Sequence, residues 1–162
     1  MNKRLYPNQQ EFKCSHCRYL VPVNIQICAV HNRNHCPYCL WSRHVDLYRA
    51  GDRLSACKAG MRPVGLALKH TYKRYRSRDQ GELMLIHQCT GCGALSLNRI
   101  AADDDPDTLM AVFEVSPELT SGLGHDLERA GIVALTAADA NLVQRRLYGL
   151  AVPATLQRSY AV

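Results

Sequence analysis

Cysteines supply the most distinctive chemistry in this sequence, because eight of them fall within its first hundred residues. Two Cys-x-x-Cys units, Cys14 with Cys17 and Cys36 with Cys39, are separated by eighteen residues. A tight turn at each unit directs two thiolates toward one point, and four thiolates in tetrahedral geometry suit Zn²⁺. The spacing therefore predicts a structural zinc site, with disulfides or a redox-active pair as the alternatives.

A third unit, Cys89 with Cys92 followed by Gly93, needs two further ligands to complete a second zinc site. Cys57 is the obvious third ligand. We favour His44 as the fourth, because it precedes Cys57 by thirteen residues, which is a workable loop length. The alternatives for the fourth position are Cys28, His35 and His87.

Neither predicted site has the features of a catalytic zinc centre. Catalytic sites keep one coordination position open and place a general base nearby, whereas four protein ligands close both sites here. The sequence also lacks the deaminase combination of His-x-Glu with Pro-Cys-x-x-Cys, a phosphate-binding loop, a dinucleotide fingerprint and a nucleophile elbow. We therefore expect no enzymatic activity and no small-molecule substrate.

Charge divides the chain into two parts. Residues 1–100 contain 16 Lys and Arg against 5 Asp and Glu, a net of +11, whereas residues 101–162 contain 4 against 9, a net of −5. The change occurs at an acidic run with one proline, residues 103–107, which favours a turn or a helix start. We predict a zinc-ribbon-like domain over residues 10–105 and a helical C-terminal extension over residues 106–162.

The densest positive cluster lies between two predicted strands, at residues 63–70 and 83–88, and is expected to form the tip of a hairpin. It contains seven cationic or tyrosine side chains: Lys69, Tyr72, Lys73, Arg74, Tyr75, Arg76 and Arg78. Cations neutralise phosphates while tyrosine rings stack on unpaired bases, so the cluster favours binding to structured RNA or the ribosome. A solvated hairpin tip without a ligand is the alternative.

Two further functions stay open from the sequence. The zinc core could be the scaffold of a protein-interaction adaptor that docks a partner through the C-terminal helices. A metal-dependent enzyme acting on nucleic acid is the third hypothesis, although no candidate general base supports it.

The residue pattern predicts a small α+β fold, with a β-rich zinc-ribbon-like domain and two metal sites followed by short C-terminal helices. Residues 94–100 alternate between apolar and polar and predict a third strand. Ser116 with Pro117 predicts a helix start, and Thr136 with Asp139 resembles a capping box before a later helix. The first domain is expected to have too small a core to fold strongly alone, so its folding is coupled to zinc binding.

Composition also bears on the compartment. No apolar run reaches the ~18 residues of a membrane helix, and the first residues lack the apolar region of a secretory signal. Eight cysteines without an export signal indicate a reducing compartment. We expect a cytoplasmic protein without a membrane partner.

The fifteen residues from Asn32 to Asp46 resemble the bacterial RNHCP domain family. The family is named for a string that is matched by five adjacent residues: Arg33, Asn34, His35, Cys36 and Pro37. The resemblance extends over about residues 10–110 and implies a small, cysteine-rich, zinc-binding domain with no particular reaction. It adds weight to His44 and Cys57 as ligands. In one departure, Arg18 stands where a glycine often follows the first cysteine turn.

Overall fold

The computed structural model describes residues 11–69 and 81–149. Within these ranges the strands are β1 (Glu11–Lys13), β2 (Leu20–Pro22), β3 (Ser42–Arg43), β4 (Gly60–Lys69), β5 (Glu82–Cys89) and β6 (Leu95–Arg99). The helices are α1 (Ile25–Cys28), α2 (Pro106–Ser121), α3 (Gly124–Arg129) and α4 (Ala140–Tyr148). Strands β1 and β2 form a small sheet, and the other four form an antiparallel sheet in the order β3-β4-β5-β6. This is the small α+β fold that the sequence predicts.

The long hairpin of β4 and β5 is the central element of the larger sheet. Its antiparallel register runs from Met61 opposite Cys89 to Lys69 opposite Glu82, with a β-bulge between Pro63 and Gly65. Strand β6 pairs along the other edge of β5. The three strands expected from the sequence are thus confirmed, each with slightly different ends.

Helix α2 begins at Pro106, within the acidic run where the sequence predicts a turn or a helix start, and eleven residues before the start that Ser116 with Pro117 predicts. Its N-cap is Asp105, whose carboxylate accepts a hydrogen bond from the Thr108 backbone N–H at 2.9 Å, and the predicted start at Ser116 lies inside the helix. Pro117 has no N–H to offer the carbonyl four residues before it, which belongs to Phe113. The Ser116 hydroxyl donates to that carbonyl instead, at 2.7 Å, so the helix continues through the proline.

The later helices follow their local signals more closely. The predicted capping box is present, because the Asp139 carboxylate accepts from the Thr136 backbone N–H at 2.9 Å. A short 3₁₀ turn then leads into α4, which ends at Gly149 with a φ of 70°. None of the described helices is long and apolar enough to cross a membrane.

Apolar residues of the hairpin pack against the C-terminal helices in two clusters. Leu85 and Ile86 are consecutive in β5, so they point to opposite faces of the sheet, and each belongs to a different cluster. The apolar cluster of Leu85 also contains Leu40, Leu66, Leu109, Phe113, Leu135 and Val143, and that of Ile86 also contains Val64, Ala67, Leu123, Leu127 and Ile132. The expectation of a small core therefore holds only for residues 11–43, because residues 106–149 supply apolar partners to the sheet.

Residues 33–37 connect the N-terminal part to the start of α2 through a buried ionic network. The Arg33 guanidinium, with no exposed side-chain surface, binds the Asp103 carboxylate at 2.6 Å and the Asp104 carboxylate at 3.1 Å. The second oxygen of Asp104 lies 2.7 Å from His35 Nε2. The acidic run that the sequence places at a domain boundary is thus the partner of a buried arginine.

We expect Arg33→Met to lower the free energy of unfolding by about 3–5 kcal/mol, because it leaves a buried carboxylate without its cation. Arg129→Met is the matched control, since that arginine is largely exposed and 3.8 Å from Asp126, and such pairs contribute about 0–1 kcal/mol. Urea denaturation of the metal-loaded proteins measures both values. Equal denaturation midpoints for the two variants would contradict this role of Arg33.

Candidate metal centres

The three Cys-x-x-Cys units adopt one backbone geometry. In the first, the Cys14 N–H donates to the Tyr19 carbonyl at 2.8 Å and the Arg18 N–H donates to the Cys14 carbonyl at 3.1 Å. The equivalent bonds in the other two units are Cys36 N to Trp41 O (3.0 Å), Leu40 N to Cys36 O (2.8 Å), Cys89 N to Ala94 O (2.8 Å) and Gly93 N to Cys89 O (3.0 Å). Each turn thereby presents two Sγ atoms on one side.

The residue after the second cysteine is left-handed in every unit. Gly93 has a φ of 76°, as expected for glycine, but Arg18 and Leu40 adopt 69° and 59°. These values are uncommon for residues with a Cβ and cost free energy. The arginine that departs from the family pattern therefore takes the same conformation as the glycine it replaces.

The first cluster consists of Cys14, Cys17, Cys36 and Cys39. The Sγ atoms of Cys14 and Cys39 are 3.7 Å apart, and those of Cys17 and Cys36 are 3.5 Å apart. A disulfide requires about 2.05 Å, so these sulfurs are free thiols. Sulfurs at about 2.3 Å from a shared ion lie roughly 3.7 Å from one another in a tetrahedron. The cluster thus has the dimensions of a tetrahedral metal site.

His44 and Cys57 form a fourth turn of the same type, with a loop inserted between the two ligands. The His44 N–H donates to the Ala59 carbonyl at 2.9 Å, and the Lys58 N–H donates to the His44 carbonyl at 3.2 Å. Lys58 also has a φ of 54°, as the equivalent residues do. His44 therefore occupies the place of a first cysteine, and residues 45–56, which we call the inserted loop, replace the usual two residues.

The second cluster brings together His44, Cys57, Cys89 and Cys92. His44 Nδ1 lies 3.2 Å from Cys92 Sγ, and the Sγ atoms of Cys57 and Cys89 are 3.6 Å apart. In each cluster all ligand atoms lie within 4.8 Å of one another, so both can hold a metal ion. Cys57 and Cys92 are exposed, which places this site nearer the surface than the first.

Each cluster contains thiols whose pKa values are shifted in opposite directions: the pKa of Cys17 is lowered and that of Cys36 raised in the first, and the pKa of Cys89 is lowered and that of Cys92 raised in the second. Burial raises the pKa of Cys36 to about 11. Burial acts in the same direction on Cys89, but hydrogen bonds from the backbone of Cys92 and Gly91 outweigh it and lower the pKa to about 6. Thiolates at these separations repel one another, so a bound cation is needed for all of them to be ionised together.

The other candidates for the fourth ligand have different partners. His35 binds Asp104, and the fully buried His87 donates from Nε2 to the Leu40 carbonyl at 2.6 Å while its Nδ1 accepts from Asn98 at 2.8 Å. Burial lowers the pKa of His87 to about 3, so the ring is neutral, as these two bonds require. Cys28 is buried beside the Val30 carbonyl. The described part of the chain therefore supports His44.

The structure describes one residue of the predicted basic cluster, Lys69. Lys69 is the last residue of β4 and is exposed. The other predicted nucleic-acid contacts lie outside the described residues: Tyr72, Lys73, Arg74, Tyr75, Arg76 and Arg78. They belong to the segment that connects the paired ends of β4 and β5.

Comparison with known families gives one match. The model of the family described as the RNHCP domain matches residues 9–110, which include every ligand of both clusters. No curated protein and no solved structure matched the chain.

We expect Gly91→Ala to abolish metal binding at the second cluster. A Cβ at this position would lie 2.8 Å from the Ala59 Cβ and 3.3 Å from the Cys57 Sγ, so the turn cannot keep its geometry. Gly122→Ala is the control, because nothing lies within 4 Å of its Cβ position. Metal analysis of the purified proteins should show about one ion fewer per chain for Gly91→Ala alone; an unchanged metal content would refute the assignment.

Metal removal by a chelator should unfold residues 11–22 and 44–58 and leave much of the hairpin and α2, with the buried contacts of Arg33 and Leu40, intact. The small core around the first cluster consists of the buried residues Cys14, Val21 and Cys36, so metal ligands form most of that core. The hairpin, by contrast, packs on the helices through aliphatic side chains. Hydrogen exchange followed by mass spectrometry resolves the two parts. Loss of protection throughout would show that the ions, and not the apolar clusters, maintain the sheet.

Proposed function

Because the chain belongs to the RNHCP domain family, whose model covers both ligand clusters, we propose that it is a zinc-stabilised nucleic-acid-binding protein with RNA as its partner. Zinc is the metal that best suits the donor sets, four sulfurs in the first cluster and three sulfurs with one imidazole nitrogen in the second. Four protein ligands close each site. The ions in this proposal are structural, and the protein binds RNA without catalysing a reaction.

The observation that carries the proposal is the attachment of the basic segment to the hairpin. Residues 70–80 contain four lysines and arginines with two tyrosines and a single carboxylate, and Lys69 adds a fifth cation. Lys69 pairs with Glu82 at the end of the hairpin opposite Cys89, and residues 70–80 follow Lys69 in the sequence. At about 3.3 Å per residue, Lys69 lies roughly 25 Å along the strand from the second cluster. The proposed RNA contacts therefore begin at Lys69, at the end of β4 that is remote from the metal sites.

The wider charge balance supports the same partner. Residues 1–100 carry a net of +11 before the metal sites are counted. Four thiolates with Zn²⁺ contribute −2, and three thiolates with a neutral imidazole contribute −1, so about +8 remains. A unit of this size with that charge attracts polyanions.

The protein-interaction alternative gains less from the structure. The proposed docking helices α2 and α4 bury Leu109, Phe113, Leu142 and Val143 against the rest of the fold. These residues contribute to the core and are not available to a partner. Removing residues 106–162 would therefore expose the sheet, and loss of partner capture in such a variant would not identify a docking surface.

The combined change of Lys73, Arg74, Arg76 and Arg78 to alanine should weaken RNA binding and reduce its dependence on salt. Each lost contact with a single-strand phosphate makes the log–log salt slope shallower by about 0.7, so the slope should change by up to about 3. Fluorescence anisotropy with a labelled single-stranded RNA, measured at several salt concentrations, gives both quantities.

The matched variant changes Arg74, Arg76 and Arg78 to lysine, which keeps the charge. It should retain most of the salt slope, because lysine also neutralises phosphate as a point charge. Unaltered affinity and slope in the alanine variant, or failure of the wild-type protein to bind any RNA, would refute the proposed function.

A further inference from the structure

A cleft lies between the first cluster and the inserted loop, at the end of the hairpin opposite Lys69. It consists of a cavity of about 500 Å³ and a neighbouring cavity of about 240 Å³. The two share part of their walls, namely Asn34, Arg43 and Val45. The larger cavity is within the range of small-ligand sites, about 300–1,000 Å³.

The inserted loop forms one side of this cleft and has a fixed backbone. The Asp52 carboxylate accepts hydrogen bonds from the N–H groups of Leu47, Tyr48, Arg49 and Leu54 at 2.8–3.1 Å. These backbone hydrogen bonds, of which the one from Leu47 has the largest effect, hold the pKa of Asp52 well below its usual range. Asp46 binds two further backbone N–H groups of the loop in the same way. Because Asp46 and Asp52 already order the backbone of the loop, the loop loses less conformational entropy when a ligand binds.

The side chain of Asn34 makes no hydrogen bond that stabilises the described part of the fold. Its neighbours Arg33 and His35 bind Asp104, and its own backbone carbonyl accepts from the Ser42 hydroxyl at 2.9 Å. The side-chain amide has no hydrogen-bond partner among the residues that the structure describes, and Asn34 lines both cavities. An amide offers a donor and an acceptor to the edge of a nucleobase.

Positive charge predominates in the larger cavity. Lys13, Arg43 and Arg53 line it, and all three are exposed, whereas Glu11 supplies the one carboxylate in its wall. Arg53 Nε is 3.8 Å from Asp46, whose oxygens already accept backbone hydrogen bonds. Arg43 makes a long contact of 3.4 Å to the Lys58 carbonyl. These guanidinium groups therefore keep donors for a phosphate.

Apolar side chains also line the larger cavity, namely Phe12, Val23 and Trp41, which we call the apolar wall. The His16 ring stacks on Trp41 with the ring centroids 4.2 Å apart and the planes 5° from parallel, which holds the indole in place. A nucleobase fits such a wall, since its faces are apolar and its edges carry hydrogen-bonding groups.

We infer that this cleft binds one unpaired nucleotide of the RNA, with the base beside Asn34 and the apolar wall and the phosphate at Arg43 and Arg53. The inference rests on the proposed function and adds to it a second contact, made by residues other than those of the basic segment. It also assigns a preference for single strands, because a base that is paired in a duplex cannot enter the cleft.

The test compares two variants with equal loss of charge. Arg43→Gln with Arg53→Gln removes two cations from the cleft, and Arg129→Gln with Arg145→Gln removes two exposed cations from the helices. The probes are a fluorescein-labelled single-stranded RNA of about 12 nucleotides and the duplex of the same sequence. For the single strand, the cleft variant should lose at least about tenfold in affinity and about 1.4 in salt slope, and the helix variant should bind as the wild type does.

Asn34→Ala and crosslinking locate the base. In a probe that contains 4-thiouridine, irradiation should attach the nucleotide to the peptides of Phe12 or Trp41 in the wild type, and Asn34→Ala should reduce the yield while far-ultraviolet circular dichroism stays unchanged. Wild-type affinity in the cleft variant would overturn the inference and leave the proposed function intact. An equal loss of affinity for the single strand and the duplex would also overturn it. The same conclusion would follow if only the alanine variant of the basic segment lost RNA binding.

Discussion

The ion pairs of Arg33 with Asp103 and Asp104 are the constraint on which the arrangement of the two halves depends. A buried guanidinium is tolerated only when carboxylates satisfy it, so the acidic turn before α2 has one permitted position relative to residues 33–37. His35 binds the same Asp104, and Cys36 is the next residue in the chain. The residue before Cys36 is therefore held by charges that belong to the start of a helix nearly seventy residues later. An electrostatic contact, in addition to the metal ligands, anchors this side of the first cluster.

The two clusters are also connected through the sheet. Leu40 follows the last cysteine of the first cluster, and its side chain is fully buried in the apolar core while its carbonyl accepts from His87. His87 lies on β5, two residues before Cys89 of the second cluster. Packing, one buried hydrogen bond and a single strand thus join one metal site to the other. The sheet is the common support of both sites, and the helices support the sheet.

Local signals in the sequence were sufficient where the structure is local. The spacing of the cysteines predicts the turns at Cys14, Cys36 and Cys89, and Thr136 with Asp139 predicts a cap that is present. Other features depend on contacts between distant residues. The start of α2 was predicted wrongly at Ser116, because a serine hydroxyl compensates for the missing N–H of the following proline. The acidic run predicts a turn or a helix start, which is confirmed, but its buried partner Arg33 does not show in the local sequence because it is distant along the chain. Only the backbone bonds of His44 with Lys58 and Ala59 reveal that residue as the counterpart of a first cysteine.

The turn that contains the inserted loop has a consequence for how this chain can vary. His44 and Cys57 are held by the same pair of backbone bonds as adjacent ligands would be, although twelve residues separate them. An ion bound there acts as a crosslink across the base of the loop, and the entropy of closing such a loop grows only slowly with its length. Residues 45–56 can therefore be lengthened, shortened or exchanged without displacing either ligand. Foreign peptides could therefore be inserted between His44 and Cys57, because metal coordination by these two residues would keep the ends of the insertion together.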